Sequence, residues 1–142
     1  MSRITFTGFR RDVLCILKAI DFLVMPSHWE GLPMSLLESM ACESPAVATR
    51  VGGIPDVIEH EIDGLLLPAK DPASLADCIR QMLTIPAQRK QMALAGRDKV
   101  EEQFSAEAAT REYERLYMKV LRHRLPHADA IDEDQPCPPS KS

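Results

Sequence analysis

Apolar residues in the first half of the chain come in short runs broken by glycine, proline and acids; in the second half they recur at helical spacing. Ile4-Thr5-Phe6-Thr7 is expected as a strand, with Gly8 as the turn after it. Across Asp12 to Ile20, Val13, Ile16, Leu17 and Ile20 keep a helical stripe. Phe22-Leu23-Val24-Met25 is a continuous apolar run, the kind buried on both faces of a parallel sheet. Pro33 suits the first turn of a following helix, in which Met34, Leu37, Met40 and Ala41 share one stripe. Ala46-Val47-Ala48-Thr49 reads as the next strand and leads through Gly52-Gly53 to a short helix from Pro55. Asp63-Gly64 marks a turn before Leu65-Leu66-Leu67, a further buried strand. Strands alternating with helices predict an α/β fold with a doubly wound parallel sheet. That sheet is expected to be partial. No βα unit or Gly-rich first turn precedes residue 4, so the chain is expected to be a fragment or a truncated reading frame.

The second half predicts helices alone. Asp71-Pro72 forms an N-cap and first-turn pair, and Leu75, Ile79, Met82 and Leu83 make a core face. Pro86 opens another helix running to about Phe104, with Gly96 as its weak point. Ser105 is expected to cap a final helix whose Ala109, Tyr113, Leu116, Tyr117, Val120 and Leu121 lie on one face. From Pro126 onward, prolines, acids and small polar residues dominate. The expectation is one domain over 1–125 and a disordered tail over 126–142.

Composition narrows the function classes. Hydrophobic residues make up 45% and charged residues 27% of 142 residues, ordinary for a globular protein. A net charge of −4 gives no support to nucleic-acid binding or to a broadly basic membrane face. The four cysteines, Cys15, Cys42, Cys78 and Cys137, form no metal-ligand spacing. The first three fall in expected helices and read as small buried hydrophobes, which favours a reduced, cytoplasmic compartment. No apolar run approaches spanning length, and Arg3, Arg10 and Arg11 interrupt any signal-peptide core. A peripheral membrane role for a longer parent chain, at the cytoplasmic face, stays compatible with this.

Ligands of open α/β sheets sit outside the carboxyl ends of the strands. Three expected loops occupy such ends: Gly8-Phe9-Arg10, Ser27-His28-Trp29-Glu30-Gly31 and Arg50-Val51-Gly52-Gly53. The segment Glu30-Gly31-Leu32-Pro33-Met34-Ser35-Leu36-Leu37-Glu38 carries the most information. It sets one carboxylate in the turn and a second about a turn and a half into the helix. Unsatisfied N–H groups of the first helical turn lie between them. The helix start suits an anion, and the carboxylates accept hydrogen bonds from sugar hydroxyls; a nucleotide sugar offers those groups in that order. Acids near a helix start are also favoured by the dipole alone. Gly31 and Pro33 tip the balance, since one permits close backbone approach and the other sets the helix entry. Gly52-Gly53 reads either as a tight βα turn or as a loop admitting a ligand to its backbone. Asp56 and Glu59 read as helix-start acids, His28 as a bystander without a partner, and Trp29 as a wall or core residue. Phe9-Arg10 either starts a solvated helix or covers a nucleobase. No metal cluster, Ser/His/Asp set or Cys/His pair is visible.

Taken together, these blocks resemble the C-terminal part of retaining glycosyltransferases of the GT-B fold, the group-1 (family 4) class. The resemblance runs from about Phe6 to Val120. It rests on Thr7-Gly8-Phe9, Ala19-Ile20-Asp21, Pro26-Ser27-His28-Trp29-Glu30-Gly31 and Leu37-Glu38-Ser39-Met40-Ala41. It continues through Pro45-Ala46-Val47-Ala48-Thr49, Val51-Gly52-Gly53-Ile54-Pro55-Asp56 and Asp63-Gly64-Leu65-Leu66. The resemblance implies a Rossmann-like half of such an enzyme, incomplete on its N-terminal side, that binds a nucleotide-sugar donor. Glu30 would then stabilise an oxocarbenium-like transition state. The backbone of Gly31, Leu32, Pro33, Met34 and Ser35 would approach sugar and pyrophosphate, and Glu38 would accept both ribose hydroxyls. Phe9 and Arg10 would hold the base, with Gly52 and Gly53 at the sugar or acceptor. The implied chemistry needs no metal and no cofactor, the nucleotide sugar being the substrate.

Two departures bear on this. Glu43 stands where the family usually has glycine, which costs about 1 kcal/mol if that position is left-handed. The acceptor domain and the upstream basic pair that grips the pyrophosphate are missing, so the isolated chain is expected to be inactive. An epimerase-like isomerase fragment and a non-catalytic nucleotide-binding or interaction module are the rival expectations. A flavodoxin-like signalling domain ranks below both, for want of an acidic phospho-acceptor cluster.

Overall fold

In the computed structural model, which describes residues 4–124, three parallel strands form the sheet in the order β1-β2-β3. Helix α1 (Val13–Ala19) precedes strand β1 (Leu23–Met25), and α2 (Met34–Ala41) leads to β2 (Ala46–Thr49). A short α3 (Ile54–Val57) leads to β3 (Gly64–Leu67), followed by α4 (Pro72–Thr84) and α5 (Pro86–Gln103). Register pairs Val24 with Val47 and Val47 with Leu65. Side chains therefore alternate between two covered faces. Ala46, Ala48 and Leu66 pack with Leu36, Leu37 and Met40 of α2, with Ile54, Val57 and Ile58, and with Val100 of α5. Val47, Leu65 and Leu67 meet Met82 of α4 and Met92 of α5 on the other side. Every residue of β2 and β3 is buried.

Several expectations give way here. Ile4–Thr7 forms no strand, and Ile4 and Phe6 are exposed, the latter 95%. A parallel strand needs a place in a sheet, and the sheet β1-β2-β3 does not include this segment. β1 is only half-buried along its length, against the expectation of burial on both faces, because it is an edge strand. In α2, Met34 and Ala41 are exposed and Leu36 takes the core position. In α4, Leu83 is exposed while Met82 is fully buried. Cys15 is exposed, and Cys42 and Cys78 are half-buried rather than buried. Burial next to Asp77 raises the Cys78 thiol above its ordinary range. Cys137 and the expected tail 126–142 lie outside the described residues.

Gly96 is a packing position and no weak point. A Cβ there would meet Met40 Cε at 3.2 Å and the Asp63 carbonyl at 3.6 Å, so α5 presses against α2 and the β3 entry at that residue. Asp63 itself is buried, and its carboxylate accepts from Glu59 N–H and from Lys99 Nζ, each at 2.7 Å. Glu43 is left-handed at φ +58, and its carboxylate pairs with Arg97 at 2.5 Å. The bonds to Glu101 and Glu43 hold the Arg97 guanidinium pKa above its ordinary range.

Residues 106 onward form a separate unit, whose described part is helix α6 (Ala106–Arg124). Ser105 immediately precedes it, as the capping pattern predicts. Tyr113, Leu116, Tyr117, Val120 and Leu121 are exposed on this helix, and its polar positions include Arg111, Arg115, Lys119 and Arg122.

Candidate functional site

The carboxyl ends of β1 and β2 carry a connected set of hydrogen bonds. Thr49, the last residue of β2, donates its hydroxyl to the Ser27 carbonyl at 2.7 Å, beyond the end of β1. The Ser27 hydroxyl donates to Glu30 Oε1 at 2.8 Å. The Glu30 carboxylate is thus oriented by its own turn, and that turn is tied to the neighbouring strand. The Gly53 N–H donates to the Gly31 carbonyl at 2.9 Å, which joins the loop after β2 to the same turn.

This contact explains the paired glycines. Gly52 is left-handed at φ +54, and a Cβ there would lie 1.7 Å from the Glu30 carbonyl oxygen. A Cβ on Gly53 would lie 2.8 Å from the Gly31 carbonyl oxygen. The close approach these residues permit is therefore to the backbone of Glu30 and Gly31. Around Gly31 itself, the space a Cβ would occupy is open.

Downstream, Pro33 is buried at the N-cap of α2, one residue earlier than the pattern predicts, and no side chain caps that end. The first N–H groups of the helix are left facing outward. Met34, Ser35 and Glu38 are exposed, while Leu36, Leu37 and Met40 turn inward. Positions three and four apart share a helix face, so Glu38 stands over Met34 and Ser35 at the uncapped end. Leu32 is half-exposed beside them. Among the described residues the Glu38 carboxylate has no hydrogen-bond or ion-pair partner, and the Glu30 carboxylate has only Ser27.

Phe9 and Arg10 are not brought to this edge by a preceding strand, since among the described residues none forms before them. Phe9 is 89% exposed, and Arg10 holds Asp12 through two bonds of 2.8 and 2.5 Å. The Arg10 guanidinium, helped by a backbone bond at Asp12, keeps the Asp12 carboxyl below its usual range. Trp29, expected as wall or core, is 83% exposed on the Glu30 turn. Among the described residues, no group of three or more His, Cys, Asp or Glu side chains could hold a metal ion. No helix among them is long and apolar enough to cross a membrane. Sequence reasoning missed Ser27 and Thr49. The spacing of Ser27 three residues before Glu30, and a hydroxyl ending a strand that otherwise reads apolar, were the signals available.

Comparison with known proteins identifies the family and the fold. A family model described as "Glycosyl transferases group 1" matches residues 1–84. The chain is 38% identical over 121 residues to N-acetyl-alpha-D-glucosaminyl L-malate synthase of Bacillus anthracis, covering 85% of this chain and 32% of that protein. The sucrose-phosphate synthase structure from Thermosynechococcus elongatus superposes with a TM-score of 0.70 at 31% identity, over 76% of this chain and 27% of that one. Anabaena HepE, solved in complex with UDP, shares the fold with a TM-score of 0.78 at 23% identity, over 82% and 32% of the two chains. The chain spans about a third of the length of these relatives.

Proposed function

The chain belongs to the group 1 glycosyl transferases, and on that premise we propose that residues 1–125 form the donor-binding portion of a retaining hexosyltransferase. The observation that carries this is the pair of carboxylates flanking an uncapped helix start: Glu30, oriented at 2.8 Å by Ser27, and exposed Glu38 above Met34 and Ser35. The donor diphosphate lies against the N–H groups of Met34 and Ser35, where the α2 dipole offsets its charge. Glu38 accepts the ribose hydroxyls. Glu30 faces the hexose and stabilises the positive charge that grows at the anomeric carbon as its bond to the diphosphate oxygen breaks. The acceptor oxygen forms the new bond on the same face, and its proton passes to the departing diphosphate. Gly31, Leu32 and Pro33 shape the wall of this site, and Gly52 with Gly53 hold the Glu30 turn in place. Phe9 and Arg10 close over the base when the rest of the sheet is present.

A further, acceptor-binding domain completes the cleft, so the isolated chain binds donor without turnover. No metal or organic cofactor takes part, and the enzyme works in the cytoplasm. Titration calorimetry with uridine, guanosine and adenosine diphosphates tests this. UDP is the first choice, because the HepE structure holds it. Saturable binding of one nucleotide, weakened at least tenfold in Glu38→Ala, is the expected result. Equal binding of the variant removes Glu38 from the site.

A further inference from the structure

We propose that a second subsite, specific for an oxyanion group on the sugar acceptor, lies in the cleft between His28 and Lys70. The cleft holds about 130 Å³ at the carboxyl ends of all three strands. Pockets that enclose drug-sized ligands run to roughly 300–1,000 Å³, so this one fits a phosphate or carboxylate group rather than a nucleotide. Its walls are apolar where Leu67 and Leu75 line it, and its charged side chains are His28, Lys70 and Asp71. Asp71 is already committed. Its Oδ1 accepts from the Ala73 and Ser74 N–H groups and its Oδ2 from the Ser74 hydroxyl, at the start of α4. His28 and Lys70 have no hydrogen-bond or ion-pair partner among the described residues, so their donors are available to a ligand.

The backbone supports the same assignment. Lys70 is left-handed at φ +61, a conformation an L-residue adopts at a cost that glycine avoids. Retaining lysine there keeps a cation at the cleft in spite of that cost. The cleft is also coupled to the donor site. Thr49 lines it and donates to the Ser27 carbonyl, while the Ser27 hydroxyl orients Glu30. An anion held by His28 and Lys70 is therefore anchored two residues from the carboxylate that faces the sugar. The occupant's identity as an acceptor rests on the transferase reading; the anion site itself does not.

The test is a titration of the labelled chain with inorganic phosphate, and separately with succinate, followed by the His28 ring and Lys70 side-chain resonances. Saturable shifts at both residues are expected with at least one of the two probes. Lys70→Gly should lower that affinity about tenfold, the usual scale for one charge-assisted hydrogen bond. The same variant should unfold at higher urea than the parent, because the left-handed strain is gone, which separates lost binding from lost folding. His28→Ala should also weaken binding. No shift at these residues with either probe, or unchanged affinity in Lys70→Gly, overturns the subsite. Repeating the titration with saturating UDP should leave phosphate affinity intact. Competition by UDP assigns the cleft to the nucleotide and overturns a separate subsite. If none of the uridine, guanosine and adenosine diphosphates binds, the donor-site proposal fails, while the phosphate and succinate arms still judge the cleft.

Discussion

Replacing Gly52 by alanine should disturb the Glu30 turn without touching the core. The added Cβ would sit 1.7 Å from the Glu30 carbonyl oxygen and 2.7 Å from its carbon. Contacts below 3.0 Å are essentially never tolerated, so the two backbones must part by about 1.3 Å. Both sides of the clash are main chain, and no rotamer change relieves it. The left-handed φ of +54 adds roughly 1–2 kcal/mol for a residue with a Cβ. Parting the loop from the turn also breaks the Gly53–Gly31 hydrogen bond, about 1 kcal/mol net. The expected total is about 2–3 kcal/mol, read as a lower urea midpoint by circular dichroism, with amide shifts concentrated from Ser27 to Leu32. Gly31→Ala is the control. Its Cβ meets nothing within 4 Å, so its stability should stay within about 0.5 kcal/mol of the parent. A Gly52→Ala variant with the parent's midpoint and unshifted amides across the turn would refute the account of why the glycines are paired.

Asp63→Ala should cost about 2 kcal/mol in urea unfolding, since it leaves the partly buried Lys99 ammonium and the Glu59 N–H without their acceptor. Glu43→Gly should stabilise the chain by about 0.5–1 kcal/mol by relieving φ +58, because the pair with Arg97 is half-exposed and screened; a lower midpoint would contradict this. The Asp71 carboxyl is held below its ordinary value of 3.8 by the Ser74 hydroxyl and the Ser74 and Ala73 N–H groups. A depressed folded-state pKa gives stability that is complete above the unfolded value and lost as pH falls through the folded one. Thermal melts should therefore show Asp71→Ala losing stability at pH 7 and much less of it, relative to the parent, near pH 2. An equal loss at both would remove the charge from the capping account.

Local signals carried much of this fold. The Asp71-Pro72 pair starts α4 as its chemistry requires, with the carboxylate on the Ala73 and Ser74 N–H groups. The strands Ala46–Thr49 and Leu65–Leu67 were legible because a short apolar run must be buried on both faces. The helical position of Glu38 was legible because periodicity alone sets it on the face of Met34 and Ser35. The backbone is left-handed at Glu43, the position where the resemblance expects glycine.

Other features depended on neighbours distant in sequence. Ile4–Thr7 has strand composition, yet a strand exists only where another offers its hydrogen-bonding edge, and local composition cannot supply one. Trp29 has a core residue's chemistry and an exposed position, because the turn that carries it is fixed by Thr49 and Gly53. Asp63 looked like a turn acid until Lys99, 36 residues away, arrived on α5. The sequence by itself determined the order of elements, the start of α4 and the helix face that carries Glu38, all of which are set by residues close by in the chain. Tertiary structure decided which apolar runs became strands, what the paired glycines make room for, and that His28 and Lys70 line one cleft. Those outcomes depend on which backbone reaches which, and that is settled only when the sheet assembles.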